Sequence, residues 1–318
     1  ITAVSSPEYD LNLFSSRMSH DEWGAIMADK NKPLTNRISV GSYPPGSIYK
    51  PLVSFAILES GISPDEKYYS TGSYRLSTWE WKDWKEGGHG RVDMYKAIEE
   101  SVNSYFYSMG HRIGKDRIID TSFRFGLGKK VDLDVYEGTA GNIPTDKWKR
   151  ETEGHSWYQG DTLNMAIGQG YVLVTPLQML QAYNMIANNG IRYKAHYVKK
   201  IIEPDQSIKD IIPKIEYEYT TDPENFKIVK EALRRVVIGG RGTARSLNIK
   251  GIDPAGKTGS AENSHYKETH GWVAGYAPYD DPEVAYICFM EGAGHGGSAA
   301  GPIVKEFLLK YFEKKGKE

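Results

Sequence analysis

The stretch IKGIDPAGKTGSAENSHYKETHGWVAGYAPYDDPEVAYICFMEG, Ile249–Gly292, decides the fold class. Its three β-rich runs, IKGIDPAGKTGSAE, HGWVAGYAPYD and EVAYICFME, are separated by turn residues, the pattern of consecutive antiparallel strands. Beyond it, GPIVKEFLLKYFEKKGK carries apolar residues at the spacing of an amphipathic helix. Upstream of Ala244 the texture is helical. HDEWGAIMADKNKPLTNR reads as a short helix stopped by Pro33, and MYKAIEESVNSYFYSMGHRIG as a helix ending at Gly114. KDRIIDTSFRFGLG and TPLQMLQAYNMIANNG follow, the latter with Pro176 in its first turn and Gly190 at its end. DPENFKIVKEALRRVVIGGRG opens on an aspartate cap. At the start, ITAVSSPEYDLNLF reads as a strand entering a Pro/Asp turn. STGSYRLSTWEWKDWKEGGHGRVDM has no clean period and reads as a surface excursion. Strand, many helices, three strands, helix predicts an α/β sandwich with a large helical insertion.

The 318 residues can bury a sizeable core. Lys and Arg number 40 against 41 Asp and Glu, a net charge of -1. That excludes a nucleic-acid binder relying on a global basic field. The clusters Lys129-Lys130, Lys199-Lys200 and Lys314-Lys315-Lys317 read as solvated faces. Cys288, the only cysteine, sits in a strand-like run as small core filler and cannot form an internal disulfide. No run of 18 apolar residues would span a membrane. The chain starts in strand-like sequence without an initiator methionine, and reads as the soluble part of a longer protein.

The chemistry is carried by GSYPPGSIYKPLVSFAIL, Gly41–Leu58. Pro44, Pro45 and Gly46 make a stiff turn, and the continuous apolar run after it predicts a buried helix. Ser47 therefore stands at the mouth of that helix, with Lys50 one turn along on the same face. A serine hydroxyl needs a base to become a nucleophile, and lysine serves only if desolvation leaves its amine partly neutral. Singly the Ser-x-x-Lys pattern is weak, since Ser264 and Lys267 repeat it in a polar turn. EESVNSYF adds Ser101-x-Asn103, a hydroxyl and an amide on a segment otherwise built for burial, and Ser246-x-Asn248 repeats that pattern too. AGKTGSAEN adds Lys257-Thr258-Gly259-Ser260, where glycine admits a substrate backbone and lysine with hydroxyls can hold a carboxylate. Lys-Thr-Gly occurs once.

Ser-x-x-Lys, Ser-Asp-Asn and Lys-Thr-Gly are the signature of penicillin-binding proteins and class A β-lactamases, and this chain has all three in order, with Val102 in the middle of the second. With SSPEYDLNLF, PLTNR, YPPGSIYKP, EESVNSYFY, WYQGDTLNMAIGQGYVLVTPLQM, GRGTA and AGKTGSAEN, the chain resembles the transpeptidase domain of a class B, elongation-type penicillin-binding protein along nearly its whole length. The resemblance implies the penicillin-binding/β-lactamase-like α/β fold: an antiparallel sheet flanked by helices. One domain over 1–318 is expected, its sheet drawn mainly from the N-terminal segment and 244–318, with a helical insertion over roughly 60–235. A membrane anchor and N-terminal pedestal are expected outside this chain.

It further implies D,D-transpeptidation of peptidoglycan stem peptides ending in D-Ala-D-Ala, with no cofactor, and inhibition by β-lactams. Ser47 would attack the penultimate carbonyl, Lys50 act as base, Ser101 relay the proton, and Asn103 hold Lys50 and the substrate amide. Lys257, Thr258 and Ser260 would grip the terminal carboxylate beside Gly259. The N–H groups of Ser47 and Ser260 would form the oxyanion hole. Elongation-machinery membrane proteins such as a glycosyltransferase are the implied partners, and the periplasmic side of the inner membrane the implied location. A serine D,D-carboxypeptidase, a β-lactamase or a β-lactam-sensing receptor are the rival readings.

Some elongation-type relatives hold a metal through two aspartates, a histidine and a cysteine. Asp83 and His89 match two of these, while Ser70 and Val102 stand at the others. Two ligands rarely hold zinc, so no metal is expected; Trp79, Trp81, Trp84 and a hydrogen-bonded His89 would fix the loop instead. WYQGDTLNMAIGQGY is no phosphate loop, and its Asp161 and Gln169 read either as cleft floor or as purely structural. The deacylating Glu-x-x-Leu-Asn segment of class A β-lactamases is missing. Its nearest echo is DTLN, Asp161–Asn164.

Overall fold

The computed structural model describes residues 2–15, 17–134 and 138–316; Ile1 and Lys317, which enter the readings above, lie outside them. The elements run α1 His20–Ala28, α2 Lys50–Glu59, β1 Tyr68–Ser70, β2 Ser73–Leu76, β3 Trp79–Lys82, β4 Gly90–Val92, α3 Met94–Glu99, α4 Asn103–Ile113, α5 Lys115–Arg124, α6 Asp146–Glu153, α7 Gln159–Ala166 and α8 Pro176–Ala187. Then come β5 Ile191–Tyr193, β6 Lys200–Ile202, β7 Ile208–Asp210, β8 Ile215–Glu218, α9 Pro223–Ile238, β9 Ala255–Ala261, β10 His270–Ala277, β11 Val284–Met290, α10 Gly296–Ala299 and α11 Gly301–Lys315.

The three predicted strands pair antiparallel in the order β11-β10-β9. Gly271 stands opposite Ser260 on one side and Met290 on the other. Every residue of β10 is buried, so both sheet faces are covered: α8 and α9 supply one set of neighbours, α10 and α11 the other. That burial explains why its sequence lacks polar alternation. Cys288 of β11 is partly buried against the core, and burial pushes its thiol up to about 11, away from reactivity.

The helix boundaries follow local chemistry. Thr175 and Gln178 form a capping box with Pro176 at the first position of α8, and Asp222 caps α9. A second capping box, Ser19 with Glu22, starts α1, which ends at Ala28, before Pro33. The helix α2 is buried from Lys50 to Leu58. Phe55 on it packs against Phe125, Tyr219 and Phe226 with ring centroids 5.2, 5.7 and 4.8 Å away. An aromatic buried like this contributes roughly 1.5–3 kcal/mol, so α2 is the pin that fixes Ser47 and Lys50 in space.

Three expectations are corrected. Among the described residues, the N-terminal segment forms no strand, and the three-stranded sheet comes from within 244–318 alone. Thr2, Ala3 and Val4 are exposed, and Ser5 Oγ bonds Thr35 O and the Arg37 N–H instead of a ladder. Strand propensity without a neighbouring strand does not make a strand. The surface excursion is not irregular: β1 pairs with β4 and β2 with β3. The single helix expected up to Gly114 breaks at Glu100–Val102, where Ser101 takes φ +58°. Between residues 60 and 235, helices alternate with small two-stranded ribbons, β1 to β8.

Candidate active site

The turn Gly46–Tyr49 is 3₁₀ and feeds straight into α2. Two glycines make that junction possible. Gly46, at φ +54°, lies so close to β9 that a Cβ there would sit 2.8 Å from Ser260 O. Gly168, at φ +71°, backs the same turn: it accepts the Gly46 N–H at 2.9 Å, and its own Cβ would meet Gly46 O at 2.4 Å. Any side chain at either position would push the turn off its seat. Further ties are Trp272 Nε1–H to Pro44 O at 3.0 Å and Tyr183 O–H to Ile48 O at 2.9 Å. Ser47, between these anchors, is half-buried, and its hydroxyl caps no helix and bonds no described residue. The hydroxyl is therefore left free for chemistry.

Lys50 is fully buried and reaches across to the α3–α4 turn. Its Nζ donates to Ser101 O at 2.8 Å, Ser101 Oγ at 3.2 Å and Asn103 Oδ1 at 2.6 Å. Burial pulls its amine down to about 7, against the opposing pull of the Asp83 carboxylate. An amine of that kind is partly neutral at ordinary pH and can accept a proton. The positive φ of Ser101 ends α3 and lets its carbonyl and hydroxyl both face Lys50.

On the other side lies β9. Lys257 is also fully buried, and burial together with the Lys50 charge holds its amine well below the ordinary lysine value. That effect puts the two lysines within electrostatic reach of one another. Lys257 Nζ donates to Thr258 O at 3.1 Å, Thr258 Oγ1 to Thr243 Oγ1 at 2.7 Å, and Ser260 Oγ pairs with His295 Nδ1 at 3.2 Å. A Cβ on Gly259 would meet Pro45 O at 3.0 Å and Ile48 Cγ2 at 3.1 Å, so this strand is flush with the serine turn. The three motifs therefore meet: Ser47 and Lys50 between Ser101–Asn103 and Lys257–Ser260. The repeats do not join them. Ser246 and Asn248 are exposed, and so are Ser264 and Lys267, in the loop after β9.

Asp83 and His89 lie behind the Ser101 turn. Asp83 accepts the N–H groups of Asn103 at 3.2 Å and Ser104 at 2.9 Å and the Ser104 hydroxyl at 2.8 Å. Burial opposes its charge, but the approach of His89, the bonds from Ser104 and the nearby Lys50 win and hold it well below the usual carboxylate range. Among the described residues, no group of three or more His, Cys, Asp or Glu side chains is placed to hold a metal. Ser70 commits its hydroxyl to Ser104 at 2.8 Å, and Val102 offers no donor atom. These residues do not fit a four-ligand zinc site. Trp79 is exposed and fixes nothing, contrary to expectation, whereas Trp81 Nε1–H bonds Asn164 Oδ1 at 3.1 Å and Trp84 Nε1–H bonds Glu100 O at 3.1 Å. Asp161 pairs with the buried Lys149 and is structural; Gly168, not Asp161, touches the serine turn.

Sequence reading gave no role to Glu100, Gly168, Thr243 or His295. The first three lie inside the quoted stretches EESVNSYFY, WYQGDTLNMAIGQGYVLVTPLQM and GRGTA, and His295 lies in none of them.

The family described as the penicillin binding protein transpeptidase domain matches residues 1–309. The peptidoglycan D,D-transpeptidase MrdA of Haemophilus influenzae is 34% identical over 99% of this chain and 51% of its own length. That of Escherichia coli strain K12 is 31% identical over 97% of this chain and 51% of its own. This chain thus spans about half the length of those curated relatives. Pseudomonas aeruginosa PBP2 in complex with WCK 5153 superposes with a TM-score of 0.86 at 34% identity, covering 97% of this chain and 70% of that one. Helicobacter pylori PBP2, solved in complex with MreC, gives 0.88 at 31% identity, covering 100% and 58%.

Proposed function

From the premise that this chain belongs to the class B penicillin-binding protein transpeptidase family, we propose that it is the D,D-transpeptidase domain of a peptidoglycan synthase. Its substrates are stem peptides ending in D-Ala-D-Ala, and β-lactams trap it as the acyl-enzyme. The observation that carries the reading is the buried Lys50 amine, lowered to about 7 and held by Ser101 and Asn103, three residues from a serine with a free hydroxyl.

In the proposed sequence, neutral Lys50 takes the Ser47 proton as Oγ attacks the penultimate D-Ala carbonyl. Lys257, Thr258 and Ser260 hold the terminal carboxylate, a charge-assisted contact that orients the amide. Ser101 returns the proton to the leaving D-Ala nitrogen. A neighbouring strand's amine then attacks the Ser47 ester, Lys50 again acting as base. Because cross-links form outside the cytoplasmic membrane, the domain faces the periplasm or cell exterior. Among the described residues no helix is long and apolar enough to cross a membrane. Its partners are envelope proteins of the kind named with its relatives, the MreC partner of the Helicobacter pylori protein among them.

Slow release separates this reading from a β-lactamase. Rapid hydrolysis of an acyl-serine needs a base that activates water beside the ester. The nearest acid echoing a hydrolytic segment, Asp161, is taken up by Lys149 and by the Tyr158 N–H at 2.7 Å. A fluorescent penicilloyl adduct, chased with unlabelled penicillin, is expected to survive for many minutes; turnover of many penicillins per second would promote the hydrolase.

The carboxylate grip is checked by Lys257→Ala against Lys267→Ala. Losing a charged hydrogen bond is worth roughly 1.5–3 kcal/mol, so acylation by penicillin should fall about tenfold to a hundredfold with the first. The second, on an exposed loop, should change it less than about twofold. Equal effects would remove Lys257 from the substrate site.

A further inference from the structure

Besides Lys50, the Ser101 turn is gripped by one short segment, the loop from Asp83 to His89 between β3 and β4. Asp83 takes the backbone N–H groups of Asn103 and Ser104, and Trp84 Nε1–H holds the Glu100 carbonyl. His89 Nδ1 stands 2.6 Å from Glu100 Oε2. An ionised carboxylate only accepts, so Nδ1 carries the hydrogen and donates it. The imidazole is completely buried, and its Nε2 lies 3.7 Å from Asp83 Oδ1 without a hydrogen-bond partner. The groups form a circuit, bonded except for the 3.7 Å approach of His89 to Asp83: Glu100 side chain, His89, Asp83, the Asn103 N–H, and back along the chain to Glu100. Enclosed in it is Ser101 at φ +58°, a conformation non-glycine residues adopt only when their surroundings over-determine it.

Glu100 itself is 4% exposed, and its second oxygen faces Arg241 Nη1 at 3.5 Å and Lys96 Nζ at 3.9 Å. A nearly buried glutamate adjoining the catalytic turn, with its carboxylate oxygens against His89, Arg241 and Lys96, has no part in the proton transfers above. We propose that Glu100 is a positioning residue: through His89 it locks the turn in the one geometry that aims the Ser101 hydroxyl and the Asn103 amide at Lys50. The inference rests on the Ser47–Lys50 reading and adds a residue to it. Misplacement of reacting groups by about an ångström is enough to lower a rate about a hundredfold.

Glu100→Ala, Glu100→Gln and the wild-type chain are compared by time-resolved acylation with a fluorescent penicillin, separating the dissociation constant of the first complex from the acylation rate constant. Glu100→Ala should lower the rate constant about tenfold to a hundredfold, with the first complex changed less than about threefold. Glu100→Gln, whose side-chain carbonyl still accepts the His89 N–H, should recover most of the rate. In amide NMR spectra, the Asn103 and Ser104 N–H signals should shift in Glu100→Ala and return in Glu100→Gln. Wild-type rates in Glu100→Ala, or Glu100→Gln as slow as Glu100→Ala with both amide signals unmoved, would overturn the proposal. Should Glu100→Ala fail to fold, Glu100→Leu, which keeps the volume and loses the acceptor for the His89 N–H, takes its place in the same readouts. Absence of labelling in the wild-type chain would instead sink the serine–lysine reading beneath it.

Discussion

Ser47→Ala is expected to abolish covalent labelling by benzylpenicillin while leaving the fold intact. The wild-type chain should gain the mass of one penicillin, on the peptide containing Ser47. The loss is complete because the hydroxyl is the atom that bonds the β-lactam carbonyl, and no neighbouring group is placed to substitute for it. The fold survives because the hydroxyl caps no helix and bonds no described residue. Its removal should move stability by less than about 1 kcal/mol. Intact mass spectrometry with peptide mapping, beside a thermal melt, checks both halves. Modification at Ser264, the exposed repeat of the motif, would overturn the assignment.

The second large effect belongs to Lys50. General-base removal typically lowers rates by 10²–10⁴-fold, and Lys50→Ala should fall in about that range. Lys50→Arg should be no better, since a guanidinium cannot deprotonate in a protein. The pH dependence has a definite sign. Only the neutral amine accepts the serine proton, so acylation should rise with pH through about 7 and level off above it. Stability carries the same signature. The folded amine titrates near 7 and an unfolded lysine near 10.4, so between these values the unfolded chain binds more protons and stability increases with pH. Lys50→Met should lessen that slope by one group's share, leaving the part that the buried Lys257 contributes. A rate flat between pH 6 and 9, or a slope unchanged in Lys50→Met, would take Lys50 out of the base role.

How much of this was legible in the sequence depends on how far apart the cooperating residues lie. Ser47 and Lys50 share one helical turn, so covalent spacing alone placed them on one face. The strands β9 to β11 are joined by short loops and were readable for the same reason. The segment 2–10 was misread because a strand exists only through its neighbour, and no local pattern reports a missing ladder partner. The break at Ser101 was hidden by apolar residues at helical spacing on both sides, Met94 to Ile98 and Val102 to Met109; what enforces it are Lys50, 51 residues away, and the Asp83–His89 loop. The pair β1–β4 and the hairpin β2–β3 were obscured by tryptophans and charges that mark exposed faces, not alternation. Gly168 looked like one of several glycines in a loop, and only its 2.9 Å bond to the Gly46 N–H gives it a place at the nucleophile.

The burial of Lys50 ties reactivity to the integrity of the whole molecule. Its amine is neutral near pH 7 only while α2, the Ser101 turn and β9 are all seated around it, segments that lie more than 200 residues apart at the extremes. If any of them opens, water reaches the amine, its proton returns, and Ser47 loses its base long before the chain unravels. Penicillin labelling therefore counts cooperatively folded molecules rather than molecules present. Partial openings seen by amide exchange and chains awaiting closure of the central sheet during refolding should both be silent to it.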